Sequence, residues 1–186
     1  MTFLYLIILI NTFAYLMIIF KIIKNNHANG VSIQAFLSGA LAALITILTT
    51  NEINIIKIYS ISLFFSLVVT LTIYYYHKKT NYETIENKKT LIIGFSGSIL
   101  GIYGFNQSFK SFMKRNEYTN VSIFSYILFS SSYFLSWFFY AESIYTQFVM
   151  FLSFLTNFYV VIQTYVTNQK KERTLNEDVI YKNGFS

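Results

Sequence analysis

The sequence FLYLIILINTFAYLMIIFKII, at positions 3–23, is the stretch that decides the fold. As a helix rising about 1.5 Å per residue, it is long enough to cross the hydrocarbon core of a bilayer, which is about 30 Å thick. Its one charged residue, Lys21, lies near its end. No charge precedes the run, and no obvious small-residue cleavage site follows it. We therefore predict a first membrane span rather than a signal peptide.

Further apolar stretches follow at residues 31–49, 53–76, 91–109, 121–140 and 144–166. Charged residues make up only 12% of the chain and hydrophobic residues 54%, whereas soluble domains carry about 25% charged residues. Since a backbone in lipid must satisfy its own hydrogen bonds, the sequence predicts an all-α integral membrane protein with six transmembrane helices. Residues 80–90 would be a polar linker, and residues 168–186 a polar, basic C-terminal tail.

The charged side chains lie near the ends of these runs or between them. All 14 Lys and Arg residues and all 8 carboxylates lie in or beside the loops, so we expect no charge at mid-membrane depth, which argues against a proton-driven pump. The net charge of +6 is interpreted as a determinant of membrane orientation rather than of nucleic-acid binding. The chain has no Cys, and its two histidines, His27 and His77, fall in different loops. We therefore expect no metal site, no cofactor and no enzymatic activity.

The chain resembles itself at an offset of 90 residues. KNNHANGVSI at 24–33 aligns without a gap with KRNEYTNVSI at 114–123. Both stretches follow the first span of one half of the chain and share the triplet VSI. This predicts two three-helix-bundle repeats, residues 1–79 and 91–167, an architecture common in secondary transporters.

The orientation of the two repeats stays open between two alternatives. Six plain spans make the repeats antiparallel, and the basic residues then divide six against eight between the two sides. Parallel repeats place thirteen of the fourteen on one side, with only Lys57 opposite, as the positive-inside rule favours. A parallel arrangement needs a seventh span, for which residues 80–109 look too short. We therefore predict six helices, although the charge pattern fits seven better.

Small residues recur at three- and four-residue steps in two of the spans. We predict that each set forms one smooth helix face that allows a neighbouring helix to pack closely. The sets are Ala35, Gly39, Ala42 and Thr46 in the second span, and Gly94, Gly97, Gly101, Gly104 and Ser108 in the fourth.

The loops of the two halves carry a family resemblance. FKIIKNNHANGVSI at 20–33 and NQSFKSFMKRNEYTNVSI at 106–123 resemble the motif of the PQ-loop superfamily, a Pro-Gln pair followed by a basic stretch and a polar turn. SSSYFLSWFFYAESIYTQFVMFLSFLTNFYVVIQTYV at 130–166 resembles the SWEET sugar transporters of that superfamily. The family uses prolines in the first helix of each unit as hinges and places a linker span between its units, whereas this chain has no Pro.

The resemblance implies a substrate site. Trp137 falls near the pocket tryptophan of the family. The pocket Asn position falls on Ser153, with Asn157 one turn further along, and Gln107 matches the Gln of the Pro-Gln pair, with Asn106 in place of Pro. In the first half the equivalent positions carry Met17, Ile47 and Leu63, which have no hydrogen-bonding side chains.

Asn11 is the strongly polar residue deep in the first span and completes the set of candidate substrate-binding residues. Amide and hydroxyl groups beside an aromatic face suit a neutral solute rich in hydroxyls. The leading hypothesis is thus a facilitative, uncoupled carrier of a small neutral solute, and the resemblance implies a sugar. The alternatives are a PQ-loop amino-acid transporter and a non-transporting, partner-binding membrane protein. The expected partners are the solute, the lipid bilayer and, in a homo-oligomer, further copies of the chain, with no nucleic acid.

Overall fold

The structure is a computed structural model that describes residues 2–28, 31–80, 88–113 and 122–183. The regular secondary structure of these residues is helical, as the apolar runs predict. The seven helices are α1 (Thr2–Asn25), α2 (Ile33–Thr49), α3 (Ile53–Thr80), α4 (Lys88–Ile99), α5 (Phe105–Met113), α6 (Ile123–Tyr140) and α7 (Ile144–Asn183).

Four helices, α1, α3, α6 and α7, are long and apolar enough to cross a membrane, and α2 is a shorter apolar helix of 17 residues. Large apolar side chains cover the outside of the bundle; Leu9, Leu71 and Phe138, for example, are about two-thirds exposed. A soluble monomer rarely exposes so much contiguous apolar surface. The fold is that of a membrane-embedded protein.

Capping residues mark the end of α1 and the starts of α2 and α6. Asn26 follows the last residue of α1 with a φ of 53° and ends the helix in the left-handed conformation that Asn tolerates. The hydroxyl of Ser32 accepts a hydrogen bond from the backbone N–H of Ala35 at 3.3 Å, and Ser122 does the same for Ser125, also at 3.3 Å. The Ser of each VSI triplet is therefore the N-cap of the helix that follows.

The predicted fourth span, residues 91–109, differs from the prediction because it is divided between two helices. At the end of α4 the N–H of Gly101 bonds to the carbonyl of Ser98 at 2.9 Å, and the N–H of Ile102 bonds to that of Gly97 at 3.0 Å. With Gly101 at a φ of +81°, these two bonds form a Schellman motif, which ends an α-helix. Gly104, at a φ of +84°, then leads into α5.

The two short helices form a hairpin. A Cβ added to Gly97 of α4 would lie 2.1 Å from the ring of Phe105, the first residue of α5. α4 packs along α2 and brings Gly101 beside Thr46, close to the end of α2, whereas α5 returns to Ser32, at the beginning of α2. The predicted glycine face of the fourth span is therefore wrong, because Gly101 and Gly104 form the turn. The predicted face on α2 is buried against its neighbours.

The three helices before α4 pack on one another in the same way as the three helices after it. α3 contacts both α1 and α2, and α7 contacts both α5 and α6. Across the middle of the bundle, α1 packs against α6 and α2 packs against α4 and α5. Each half thus presents its first and second helices to the other half.

The contacts also set the direction of the helices. We call the end of the bundle where α1 and α5 finish and α2 and α6 start the basic end, since Lys21 and Lys110 lie there. At the opposite end α2 and α6 finish and α3 and α7 start, and Glu52 before α3 contacts Ser143 before α7. α1, α3, α5 and α7 therefore all run toward the basic end.

Candidate functional site

The non-helical backbone between α4 and α5 lies inside the bundle, where its polar groups need partners. Tyr103 is 4% exposed. Its N–H donates to the hydroxyl of Ser153 at 2.9 Å, and its carbonyl accepts from Thr156 at 2.9 Å and from the amide of Asn157 at 3.3 Å. One face of α7 therefore replaces the hydrogen bonds that Tyr103 would have made in a helix.

The side chain of Tyr103 joins a network of hydroxyl groups at the centre of the bundle. Its hydroxyl contacts those of Tyr15 and Ser66, the latter at 2.9 Å. The hydroxyl of Tyr15 also lies 3.1 Å from that of Ser66, and it donates to the carbonyl of Ser62 at 3.2 Å. The amide of Asn11 donates to the hydroxyl of Ser62 at 2.7 Å. We call these five side chains the central network.

Aromatic rings fill the space around the central network. The ring of Tyr103 stacks on that of Tyr133 with centroids 5.3 Å apart, and the ring of Tyr15 meets that of Phe129 edge to face at 4.7 Å. All four side chains are buried. The centre between the halves is therefore closed by side chains in this conformation.

Several buried amide atoms have no hydrogen-bond partner. The atoms without a partner belong to four residues that are 0–3% exposed. They are both amide atoms of Asn106, Nε2 of Gln107, and Oδ1 of Asn11 and of Asn157. A buried polar group without a partner costs about 1–3 kcal/mol. Four of the six predicted substrate-binding residues thus offer neutral donors or acceptors that the described protein groups leave unused.

The structure brings some of the predicted site residues together and keeps others in different surroundings. Asn157 lies beside Gly104, just before Asn106, and shares the backbone of Tyr103 with Ser153. Asn11 is linked to Tyr103 through the central network. Trp137 instead packs among phenylalanine rings of α6 and α7, with its centroid 5.0 Å from that of Phe151.

The first-half counterparts of the implied site are apolar and serve packing. Ile47 and Leu63 pack against the main hydrophobic core, and Met17 is half-buried in α1. The polar candidates therefore come from α1, α5 and α7.

Lys110 lies in the last turn of α5, at the edge of that helix as expected, but its side chain is buried. It belongs to α5, is 2% exposed, and donates through Nζ to the hydroxyl of Ser32 and to Oε1 of Gln34, the latter at 3.3 Å. Its position level with the N-cap of α2 places it near the basic end rather than at the midplane. Lys110 therefore does not bear on the expectation that no charge lies at mid-membrane depth.

Glu52 holds the start of α7 at the opposite end. Its carboxylate accepts from the backbone N–H of Ser143 at 2.9 Å, from that of Glu142 at 3.2 Å and from the hydroxyl of Thr146 at 2.8 Å. Partial burial would raise the pKa of the Glu52 carboxyl, but these hydrogen bonds outweigh it and hold the pKa below its ordinary value. An anion is also favoured at the N-terminus of a helix.

Sequence reasoning missed most of the central network and Glu52. Ser62 and Ser66 stand four residues apart in an apolar span, a spacing that could have marked a polar helix face. Gly101 and Gly104 could have marked a chain reversal, since Gly is common where φ is positive.

Within the described residues, no group of three His, Cys, Asp or Glu side chains could hold a metal ion.

In comparisons with protein-family models, with curated proteins and with solved structures, this chain finds no match.

Proposed function

We propose that this protein is a facilitative carrier of a small neutral solute. The SWEET resemblance of the loops and of residues 130–166 favours a sugar as the solute. The observation that carries the proposal is the set of unpartnered amide atoms on Asn11, Asn106, Gln107 and Asn157. A solute with several hydroxyl groups can donate to the carbonyl oxygens and accept from the amide nitrogens.

We further infer that α1–α3 and α5–α7 are two parallel three-helix repeats and that α4 is the linker between them. The matching packing order, the serine N-caps 90 residues apart and the common direction of α1 and α5 support this inference. A parallel arrangement also agrees with the charge pattern, which places Lys57 alone on one side. In carriers with internal repeats, the substrate binds near the midplane between the halves.

The resemblance also implies roles for Ser153 and Trp137, but both side chains have other contacts here. Ser153 accepts from the backbone of Tyr103, and Trp137 packs against Phe151. We therefore assign solute binding first to the amide side chains. Ser153 would position the turn of the hairpin, and Trp137 would pack at the side of the bundle.

Counterflow of labelled hexose into proteoliposomes tests the proposal. We expect uptake above that of empty vesicles, and a loss of at least about tenfold in Asn106→Leu, the size of effect that one lost hydrogen bond worth about 1.4 kcal/mol produces. Ser131→Ala, on the exposed side of α6, is the control and should transport at the normal rate. No flux of hexoses or of neutral amino acids would contradict the proposal and favour the partner-binding alternative.

A further inference from the structure

The ring of Tyr103 lies between the two halves at mid-height of the bundle. Its hydroxyl contacts that of Tyr15 on α1 and that of Ser66, which lies near the middle of α3. Its ring stacks on that of Tyr133, near the middle of α6, with centroids 5.3 Å apart. The turn between α4 and α5 thus places one side chain against helices of both halves, at the depth where carriers with internal repeats bind their substrates.

The first half makes room for this ring because α2 carries a glycine beside it. A Cβ added to Gly39 would lie 2.8 Å from Cε2 of Tyr103 and 3.0 Å from Cζ, so an alanine there would crowd the ring. The position 90 residues later is Phe129 of α6, which is buried and whose ring centroid lies 5.8 Å from that of Tyr103. α2 therefore presents bare backbone to the ring, and α6 presents aromatic side chains.

We call the space that the ring occupies the ring slot; it is bounded by Gly39, Phe129, Tyr133 and the hydroxyls of Tyr15 and Ser66. None of these five residues is charged. Aromatic faces suit an apolar ring, and hydroxyls that donate or accept suit a hydroxyl group on its rim. The slot therefore complements a neutral six-membered ring that carries a hydroxyl group, as the phenol of Tyr103 does. Pyranose sugars and free phenols share this chemistry.

The side chain of Tyr103 and its backbone make separate sets of hydrogen bonds. The backbone is held to α7 by Ser153, Thr156 and Asn157, whereas the hydroxyl is bonded to side chains of α1 and α3. Rotation about the Cα–Cβ bond of Tyr103 changes only the second set. The phenol can therefore leave the slot, when the halves move apart, while the turn stays anchored to α7.

We propose that Tyr103 is an internal competitor for the solute. Its phenol occupies the ring slot in this conformation, and a solute with a hydroxylated six-membered ring binds there when the phenol leaves. Tyr133 would stack on the solute ring, and Tyr15 and Ser66 would pair with one of its hydroxyl groups. Asn157 binds the carbonyl of Tyr103, so one of the proposed amide groups adjoins the slot. This inference rests on the proposed carrier function and adds to it the class of solute and the place of its ring.

Competition has a consequence opposite to that of structural damage. When the binding site is vacant in only a fraction of the molecules, the apparent affinity for the solute is reduced by that fraction. A substitution that weakens the hold of the slot on residue 103 should therefore lower the stability of this conformation and yet tighten solute binding. A purely structural role of Tyr103 would instead make both stability and binding worse.

Binding of glucose and of phenol to the full chain in detergent micelles, measured by titration calorimetry, tests the proposal. Tyr103→Phe removes the hydroxyl, and Tyr103→Leu removes the aromatic ring as well, so the test survives if one variant does not fold. We expect each to lower Tm and to bind at least one probe about tenfold more tightly than the wild type, the effect of one lost hydrogen bond. Tighter binding of glucose alone assigns a sugar, and tighter binding of phenol alone assigns a phenol.

Two further variants give the controls. Tyr126→Phe removes a buried phenolic hydroxyl outside the central network and should bind both probes as the wild type does. Gly39→Ala narrows the slot itself and, added to Tyr103→Phe, should reverse the gain in affinity. Unchanged or weaker binding of both probes by both Tyr103 variants would overturn the proposal. If the wild type carries hexose in counterflow while these variants bind it no more tightly, the carrier function stands and this inference fails.

Discussion

Asn106 and Asn157 are both buried amides, yet their surroundings predict opposite responses to substitution. Both amide atoms of Asn106 lack partners, whereas Nδ2 of Asn157 donates to the carbonyls of Tyr103 and Ser153. Removing an unpartnered polar group relieves a cost, and removing a donor creates one. Asn157 therefore supports the turn of the hairpin as well as offering an unpartnered Oδ1, whereas Asn106 offers both of its amide atoms.

We expect Asn106→Leu to raise the free energy of unfolding by about 1 kcal/mol while lowering transport by at least about tenfold. Asn157→Leu should lower that free energy by about 1–3 kcal/mol, because it leaves the carbonyl of Tyr103 without one of its donors. Both values can be measured by unfolding the reconstituted protein with a denaturing detergent. A destabilised Asn106→Leu would contradict the assignment of Asn106 to solute binding.

Glu52 gives a prediction for pH dependence. Its pKa in the folded protein lies below the ordinary value of 4.5, so its stabilising contribution is complete above pH 4.5 and is lost as the pH falls through the lowered pKa. Glu52→Gln should remove this part of the acid sensitivity and cost about 1 kcal/mol at neutral pH, the usual contribution of a group at a helix N-terminus. Thermal unfolding across the acidic range measures both effects.

Glu142 supplies the matched control for Glu52. It occupies the same place in the loop of the other half and its side chain is exposed. We expect Glu142→Gln to change neither the stability at neutral pH nor its acid dependence. If Glu52→Gln and Glu142→Gln behave alike, the hydrogen bonds that the Glu52 carboxylate accepts from the start of α7 contribute nothing measurable to stability.

At the scale of elements, the turn between α4 and α5 depends on Gly101. Its φ of +81° is costly for any residue with a Cβ, by about 1–2 kcal/mol, and an added Cβ would lie 2.7 Å from the hydroxyl of Thr46. We expect Gly101→Ala to lower Tm by several degrees. Ser96→Ala, on the exposed side of α4, should leave Tm unchanged. A neutral Gly101→Ala would mean that α4 continues past residue 100 as a single span.

The hairpin also shows where sequence reasoning about elements stops. Apolar length located the helices α1, α2, α3, α6 and α7, because each is one uninterrupted helix. Residues 91–109 are also an apolar run, but their backbone reverses, because Gly101 can adopt positive φ and because Ser153, Thr156 and Asn157 satisfy Tyr103. Those partners lie about 50 residues away in the chain, so the glycines could mark a reversal, but local pattern could not show that its backbone would find partners inside the bundle.

At the scale of the whole molecule, the helix directions predict the sidedness of the protein. The absence of Cys allows single cysteines to be introduced one at a time. Asn25, Lys78 and Met113, exposed near the ends of α1, α3 and α5, should all react with an impermeant thiol reagent from one side of the membrane. Asn51 and Ser143 should react from the other side. Labelling of Met113 on the same side as Asn51 would contradict the parallel arrangement.

The sequence by itself determined that the chain is an all-helical membrane protein, and it located the two serine-capped loops and the polar candidates. Apolar run length, loop charge and the VSI triplets are local properties, so they can be recognised in the sequence without a structure. Only the tertiary structure decided that residues 91–109 form a hairpin, that Ser153 and Asn157 support Tyr103, and that Lys110 reaches the N-cap of α2. The reason is that each of these depends on a hydrogen bond shared by helices far apart in the chain, and such pairings arise from packing rather than from local sequence.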